Sequence, residues 1–534
     1  MNPDPLFLQP ETLRRAVRHE GGITRRLLLE TAARWSALPL LAAAPAVAPA
    51  RVRWADDPFT LGVASGDPDH RSVVLWTRLA PAPLVGDGGM PQKDVAVRWE
   101  MAEDAGFRRV VAQGVANASP ILGHSVHVDV DGLAPDRWYF YRFHAGDTTS
   151  PVGRTRTLPA PDAAPGRMTF AFASCQHYEH GHFTAYEAMA RDAPDLVFHL
   201  GDYIYEGAGR DGNVRRHAGP RLIAVEHYRV RYAQYRTDPL LRAMHAAAPW
   251  FVTWDDHEVE NNYAGAVSQN AGQDPAEFLL QRAAAYQAYY EAMPLRRGCL
   301  PKGADLRLHR TARYGRLAAF HILDTRQYRT DQPNGDKGAP LNAAAMDPRN
   351  SLLGRDQRRW LEGELSRSTG AWNVLAQQVM MALVDRGTRE QPSFSMDQWP
   401  GAAHERIELV RFLERRKVAN PVVLTGDIHT NWVNDLRVDD RRPETRVVAT
   451  EFVGTSISSG GNGSDQPSYV GALKAANSAV RFHNAQRGYV RCTITPERWR
   501  SDYVVVDQVA KPGGTASNRA SFVVESGRPG ALEA

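Results

Sequence analysis

Cysteine is scarce in this chain of 534 residues: Cys175, Cys299 and Cys492 are the whole set. Three thiols close at most one disulfide, so at least one stays unpaired. Cys299 and Cys492 could pair or be plain buried residues, whereas Cys175 follows an apolar run and stands beside polar groups. A strong charge of one sign is also missing. The 64 Lys+Arg against 60 Asp+Glu leave a net charge of +4. That is small for this length and argues against a stable nucleic-acid partner. Beyond the first fifty residues no run is long or apolar enough to make a transmembrane segment. Internal repeats and heptads are lacking too. What remains, 43% hydrophobic and 23% charged residues, is ordinary for a globular protein. The length exceeds one compact core, so two or three domains are expected.

The first fifty residues stand apart. Thr24-Arg25-Arg26-Leu27-Leu28-Leu29 leads into a mild Ala/Leu/Pro stretch ending in Ala46-Val47-Ala48-Pro49-Ala50. A basic region, a short apolar region and small residues at a cleavage site make an export signal. The paired arginines point to the twin-arginine export machinery, with cleavage near 48–50 and a periplasmic or secreted product. Pro39, Pro45 and Pro49 interrupt the apolar part, which is shorter than the ~20 residues a membrane span needs. The other reading is an amphipathic N-terminal helix.

Residues 55–158 read as a small all-β sandwich. Ser72–Thr77, Val95–Glu100, Ser125–Val130 and Trp138–Phe143 are short β-branched and aromatic runs, separated by turn residues such as Asp67-Pro68 and Pro135-Asp136. Gly132 to Tyr141 resembles the tyrosine-bearing corner of fibronectin type III domains. A Pro/Ala linker follows at Leu158–Pro165. From 166 to about 508, strand patterns alternate with helical ones, expected at Phe183–Arg191, Glu226–Tyr235, Glu277–Met293, Asp356–Leu365 and Glu405–Lys417. Further strands are expected at Leu317–Leu323 and Trp372–Gln377, with a late hairpin of Tyr489–Ile494 and Asp502–Val506. This predicts a layered α/β core with some antiparallel pairing. Residues 509–534 read as a flexible tail.

Four apolar runs end abruptly in metal-type ligands. Met168–Ala173 runs into Ser174-Cys175-Gln176, and Asp195–Leu200 into Gly201-Asp202-Tyr203-Ile204-Tyr205-Glu206. Trp250–Trp254 runs into Asp255-Asp256-His257-Glu258, and Pro421–Thr425 into Gly426-Asp427-Ile428-His429. Ligands in open α/β sheets bind beyond the strand ends, so the pattern predicts one cluster along one rim of one sheet. Asp202 is placed to bridge two cations, although Gly-Asp is also a common surface turn. Asp427 and His429, two apart on an extended strand, would point to the same side. Cys175 and Tyr205 are strong donors that favour an oxidised, acidic metal such as Fe(III). Cys175 could equally be a small buried residue or, with His177, His180 and His182 nearby, a thiol nucleophile. Asp255, Asp256 and Glu258, with Glu260, Asn261 and Asn262 beyond, form an oxygen-rich run suited to Ca²⁺ or Mg²⁺. Arg326, in Asp324-Thr325-Arg326, could hold a phosphate oxygen or pair with Asp324.

Taken together, Gly-Asp-x-x-Tyr, a strand-end Asp-His-Glu and Gly-Asp-x-His resemble the binuclear metallophosphoesterases, purple acid phosphatases included. The departures from that pattern are themselves informative: Asp256-His257, Gly426-Asp427-Ile428-His429, and Ser174-Cys175-Gln176 where a first-strand Asp would stand. They match the PhoD-type alkaline phosphatases, as do Val63–Pro68, Trp76-Thr77-Arg78 and Asp324–Tyr328. The resemblance covers about residues 55–508. It implies a fibronectin III-like domain before a metallophosphoesterase-like catalytic domain. It also implies a hydrolase of phosphate mono- and diesters using Fe(3+) with Ca(2+), where Mg or Mn would also suit the oxygen ligands. By motif, Cys175, Asp202, Tyr205 and His429 would hold iron. Asp202 would bridge to calcium, held also by Asp256 and Asp427, with Asp255 and Asn262 as further ligands. Asp202, His257 and Arg326 would be catalytic, the last two on phosphate or leaving group. A phospholipase D-like activity on lipid head groups, and an exported binding protein with a degenerate site, are the alternatives.

Overall fold

The computed structural model describes residues 53–388 and 390–534. The expected export signal over 1–50 lies outside the described residues. The first part is a two-sheet sandwich. Strands Val63–Gly66, Val73–Arg78 and Ser125–Val130 form one antiparallel sheet. Val95–Ala102, Val110–Ala118 and Trp138–Ala145 form the core of the other. Val63, Val73, Leu75, Val97, Val128, Tyr141 and Phe143 fill the space between them. At the corner, the Tyr139 hydroxyl receives the Ala134 N–H at 3.0 Å, five residues upstream. The sandwich is not a free-standing unit. Val63–Gly66 also runs parallel to Trp250–Thr253, with Gly66 opposite Trp250, so its first sheet continues into the large sheet of the chain.

Two sheets make the centre of the molecule. In the ten-stranded sheet, β1 (Met168–Ala173), β2 (Leu196–Leu200) and β3 (Trp250–Thr253) lie parallel. In the seven-stranded sheet, β4 (Ala318–Ile322), β5 (Trp372–Ala376) and β6 (Pro421–Thr425) do the same. Side-chain alternation shows why both faces are covered. On β1, Phe170 and Phe172 point toward the second sheet, while Ala171 and Ala173 point toward the helices. Phe170, Phe198 and Phe320 meet across the sheet interface with ring centroids 4.9–5.5 Å apart. Helices Ala185–Asp192, Val225–Arg236, Pro239–Ala247 and Pro275–Ala292 pack on the outside of the first sheet. Gly354–Arg367 and Ala403–Arg416 pack on the outside of the second. The result is a four-layer α/β arrangement with mixed sheets.

One expectation is corrected, and one open alternative is decided. Residues after 509 are not a flexible tail: Ala516–Glu525 and Arg528–Glu533 extend the large sheet through Arg498–Val506. The apolar segment Phe522-Val523-Val524 buries itself there, inside a composition otherwise typical of loops. Cys299 and Cys492 do not pair; all three cysteines are free and buried. No helix of the described residues is long and apolar enough to cross a membrane.

Candidate metal centre

The ligand-type residues stand just past the ends of β1, β2, β3 and β6, where the backbone turns sharply. Cys175 (φ 59°), Asp202 (φ 55°), Asp427 (φ 62°) and His429 (φ 58°) all adopt the left-handed conformation. Non-glycine residues pay about 1–3 kcal/mol to sit there, and such strain concentrates at functional sites. The turns are locked by backbone bonds from Cys175 N–H to Gly201 O (3.1 Å) and Gln176 N–H to Asp202 O (3.0 Å). Gly201 (φ 102°) is required where β2 meets β3: a Cβ there would come within 2.4 Å of Asp255 Cβ.

The side chains converge on one continuous group. Ligand atoms of Cys175, Asp202 and His429 lie within 4.8 Å of one another, as do those of Asp202, Asp256 and His257, and those of Asp255, Asp256 and Asp427. Asp202 and Asp256 each belong to two of these sets. Tyr205 joins the first set, its hydroxyl donating to Asp202 Oδ2 (2.8 Å) and lying 3.2 Å from His429 Nε2. The group is built from two sheets rather than one rim of one sheet. Asp427 and His429 do not converge on a single point either. Both leave the extended conformation, so Asp427 faces Asp255 and Asp256 while His429 faces Cys175 and Asp202.

Arg326 is placed differently from either expectation. It is fully buried; Nε donates to Asp255 Oδ1 (2.5 Å), and the two terminal nitrogens donate to Asp397 (2.6 and 2.9 Å). Asp324 instead receives the Arg326 backbone N–H. Asp255 is therefore half committed to an arginine, with only Oδ2 unpartnered. The backbone N–H of Asn262 donates to Asp256 Oδ2 (2.7 Å), and its side-chain amide donates to Asp336.

Several further residues support the ligands. Glu258 accepts the backbone N–H groups of Asp202, Tyr203 and Asp255, tying β2 to β3. Glu206 Oε2 lies 2.7 Å from His257 Nδ1. Gln398 donates to Asp427. Ser459 donates to the Cys175 carbonyl (2.7 Å) and sits 2.6 Å from the Tyr205 hydroxyl. Asp397, Gln398 and Ser459 come from loops whose composition says nothing of their destination. Glu206, by contrast, directly follows the Gly-Asp-x-x-Tyr segment.

Electrostatics explain what the cluster lacks. Burial, reinforced by Asp202, pushes the Cys175 thiol and the Tyr205 phenol well above their usual ranges. Burial likewise raises Asp202 and Asp255 well above the carboxylate range, Asp427 to about 6 and Glu258 to about 7. Burial works against a charged His257, yet Asp256 and Glu206 hold it well above the usual imidazole value. Asp202 Oδ1, Asp255 Oδ2 and Asp256 Oδ1 are buried without a hydrogen-bond partner. Anions this crowded ionise together only beside cations. A thiol, phenol, carboxylate and imidazole around one point, beside carboxylates alone around another, fit two cations of different character.

Comparison with known proteins gives consistent likenesses. The family model described as PhoD-like phosphatase matches residues 170–503, and that of its N-terminal domain matches residues 44–159. Alkaline phosphatase D of Bacillus subtilis (strain 168) is 52% identical over 478 residues, spanning 89% of this chain and 82% of that protein. A solved structure described as "Structure of PhoD" superposes with a TM-score of 0.88 at 51% identity, covering 90% of this chain and 93% of the other.

Proposed function

The chain belongs to the PhoD-like phosphatase family and is a phosphoric ester hydrolase, and on that premise we propose that it cleaves phosphate mono- and diesters at paired cation sites beyond the strand ends. Cys175, Asp202, Tyr205 and His429 would hold Fe(3+). Asp202 would bridge to Ca(2+), held also by Asp256 and Asp427, with Mg or Mn as substitutes. Asp255 and Asn262 would be further ligands on that side. The observation that carries the reading is the sharing of Asp202 and Asp256 between adjoining ligand sets, with an unpartnered buried oxygen on each. Bound cations would neutralise phosphate oxygens and make water a competent nucleophile near neutral pH.

The chain's own residues then have definite tasks. Glu206 accepts from His257 Nδ1, which leaves Nε2 on the side of Asp202 and Asp256. Oriented by Glu206, His257 would be the group to protonate the departing alkoxide. Arg326, anchored by Asp397, neutralises Asp255 and lies 3.6 Å from Asp427, so it sets the charge of the oxygen-rich half of the site. The four layers would be a metallophosphoesterase-like domain and the sandwich a fibronectin III-like one. With the twin-arginine segment, the product would be periplasmic or secreted and would release phosphate for phosphorus acquisition.

Replacing the bridging carboxylate tests this. Asp202→Asn should lower turnover of bis-p-nitrophenyl phosphate more than ~100-fold, about 2.7 kcal/mol of barrier. Rates like those of the unmodified enzyme would remove Asp202 from the bridge.

A further inference from the structure

Arg78, Arg231, Arg236, Arg326 and Arg406 are the most enclosed arginines among the described residues. Four of them are answered. Asp255 and Asp397 meet Arg326, and Asp440 meets Arg406. The carbonyls of Tyr205 and Gly207 meet Arg231, and those of Gly123 and Arg229 meet Arg78. Arg236 is different. It ends the helix Val225–Arg236, is 1% exposed, and apart from the Tyr203 hydroxyl its three guanidinium nitrogens have no hydrogen-bond partner. The Trp76 ring, 4.4 Å away, covers one face of the guanidinium but leaves its N–H edges unanswered.

More unpartnered polar atoms gather at the same place. His245 Nδ1 is buried without a partner, as are Ser65 Oγ and the Tyr141 hydroxyl apart from each other, and each of these residues is 0% exposed. Tyr141 also faces Arg236. Tyr203 also faces Arg236, and its hydroxyl lies 2.9 Å from His245 Nε2. With the Tyr203 proton given to Nε2, the His245 Nδ1 carries a hydrogen and is a donor. Burial is the main influence on the Arg236 guanidinium; its leading neighbours are the neutral phenols of Tyr203 and Tyr141 and the cation of Arg242, with no carboxylate among them. Buried donors are normally bonded, and a buried cation without a counter-charge is strongly destabilising.

We propose that Ser65, Tyr141, Arg236 and His245 form a buried binding site for one small monovalent anion, a halide such as chloride. One formal positive charge calls for a monovalent partner. Full enclosure calls for a small one, and the hydroxyl, guanidinium and imidazole N–H groups are all donors. Ser65 and Tyr141 come from the two sheets of the sandwich, Arg236 and His245 from helices of the first large sheet. The anion therefore joins the sandwich to the catalytic layers. Tyr203 links this place to the site floor, since its backbone N–H and that of Asp202 both bond Glu258.

The test uses the full chain. Crystals soaked in sodium bromide should show an anomalous peak within hydrogen-bond reach of Arg236 and Tyr141; an ordered water alone, or no peak, overturns the proposal. In solution, the melting temperature should be about 2 °C higher in chloride than in gluconate at equal ionic strength. Arg236→Met should abolish that difference. Should that variant not fold, the double variant Ser65→Ala, Tyr141→Phe should reduce it. Equal melting in the two salts, or an undiminished difference in the variants, overturns the site.

Discussion

At the scale of single residues, the division of labour between Glu206 and His257 is the sharpest feature of the site. An imidazole that donates through Nδ1 to a buried carboxylate keeps one tautomer and one orientation. The His257 charge pulls Glu206 below its usual range, against its burial. Glu206→Gln should therefore slow hydrolysis of diesters with alkyl leaving groups by about 10–100-fold. Esters of p-nitrophenol, whose leaving group departs without a proton, should be affected far less. Initial rates on the two substrate types measure this, and equal losses on both would deny His257 the role of acid. Cys175, Asp202, Asp256, Asp427 and His429 were legible in the sequence because each breaks off an apolar run with a costly polar group. Asp397 and Ser459 were not, because a loop residue reveals its target only through tertiary contact. Arg326 was expected on phosphate or on Asp324, and neither reading could show that its partners come from β3 and a distant loop.

At the scale of elements, the strands do the positioning. The site-bearing runs β1, β2, β3 and β6 were readable to within a residue or two, and so were the long helices, but Asn431–Leu436, Ala449–Val453 and Ala516–Glu525 were not, and the last hairpin strand begins at Arg498 rather than Asp502. The arrangement of the strands in two sheets was not, since an all-buried run carries no mark of which sheet it joins. Nor was the short helix Pro239–Ala247, which is capped by Asp238 accepting from Leu240 and Leu241. The strand ends also show how tightly β2 and β3 are apposed. Gly201→Ala would place a methyl group 2.4 Å from Asp255 Cβ in a left-handed backbone. A cost of about 1–3 kcal/mol in stability is expected, with weakened cation retention because Asp202 is the next residue. Urea unfolding read beside metal content measures both, and an unperturbed variant would mean that the β2–β3 junction is slack.

At the scale of the whole molecule, the buried carboxylates couple folding to proton and cation binding. Asp427 and Glu258 have folded values of about 6 and about 7, against ordinary values of 3.8 and 4.5. Groups raised by folding contribute stability below their unfolded values and lose it as pH rises through the folded ones. Remote buried histidines act oppositely: His199 (about 3) and His321 (about 4), lowered by burial, cost stability as pH falls below 6.5. They are common to cation-free and cation-loaded protein, so the difference between the two isolates the site. The gap in melting temperature between calcium-loaded and chelated protein should widen as pH rises from about 4 to about 7. A constant gap in calorimetry would separate the carboxylates from cation binding. The most direct test of the account is hydrolysis of bis-p-nitrophenyl phosphate by the protein before and after prolonged chelation. The account predicts that activity disappears with the metals and returns on adding Ca²⁺; undiminished turnover by protein shown to be free of metal would contradict it.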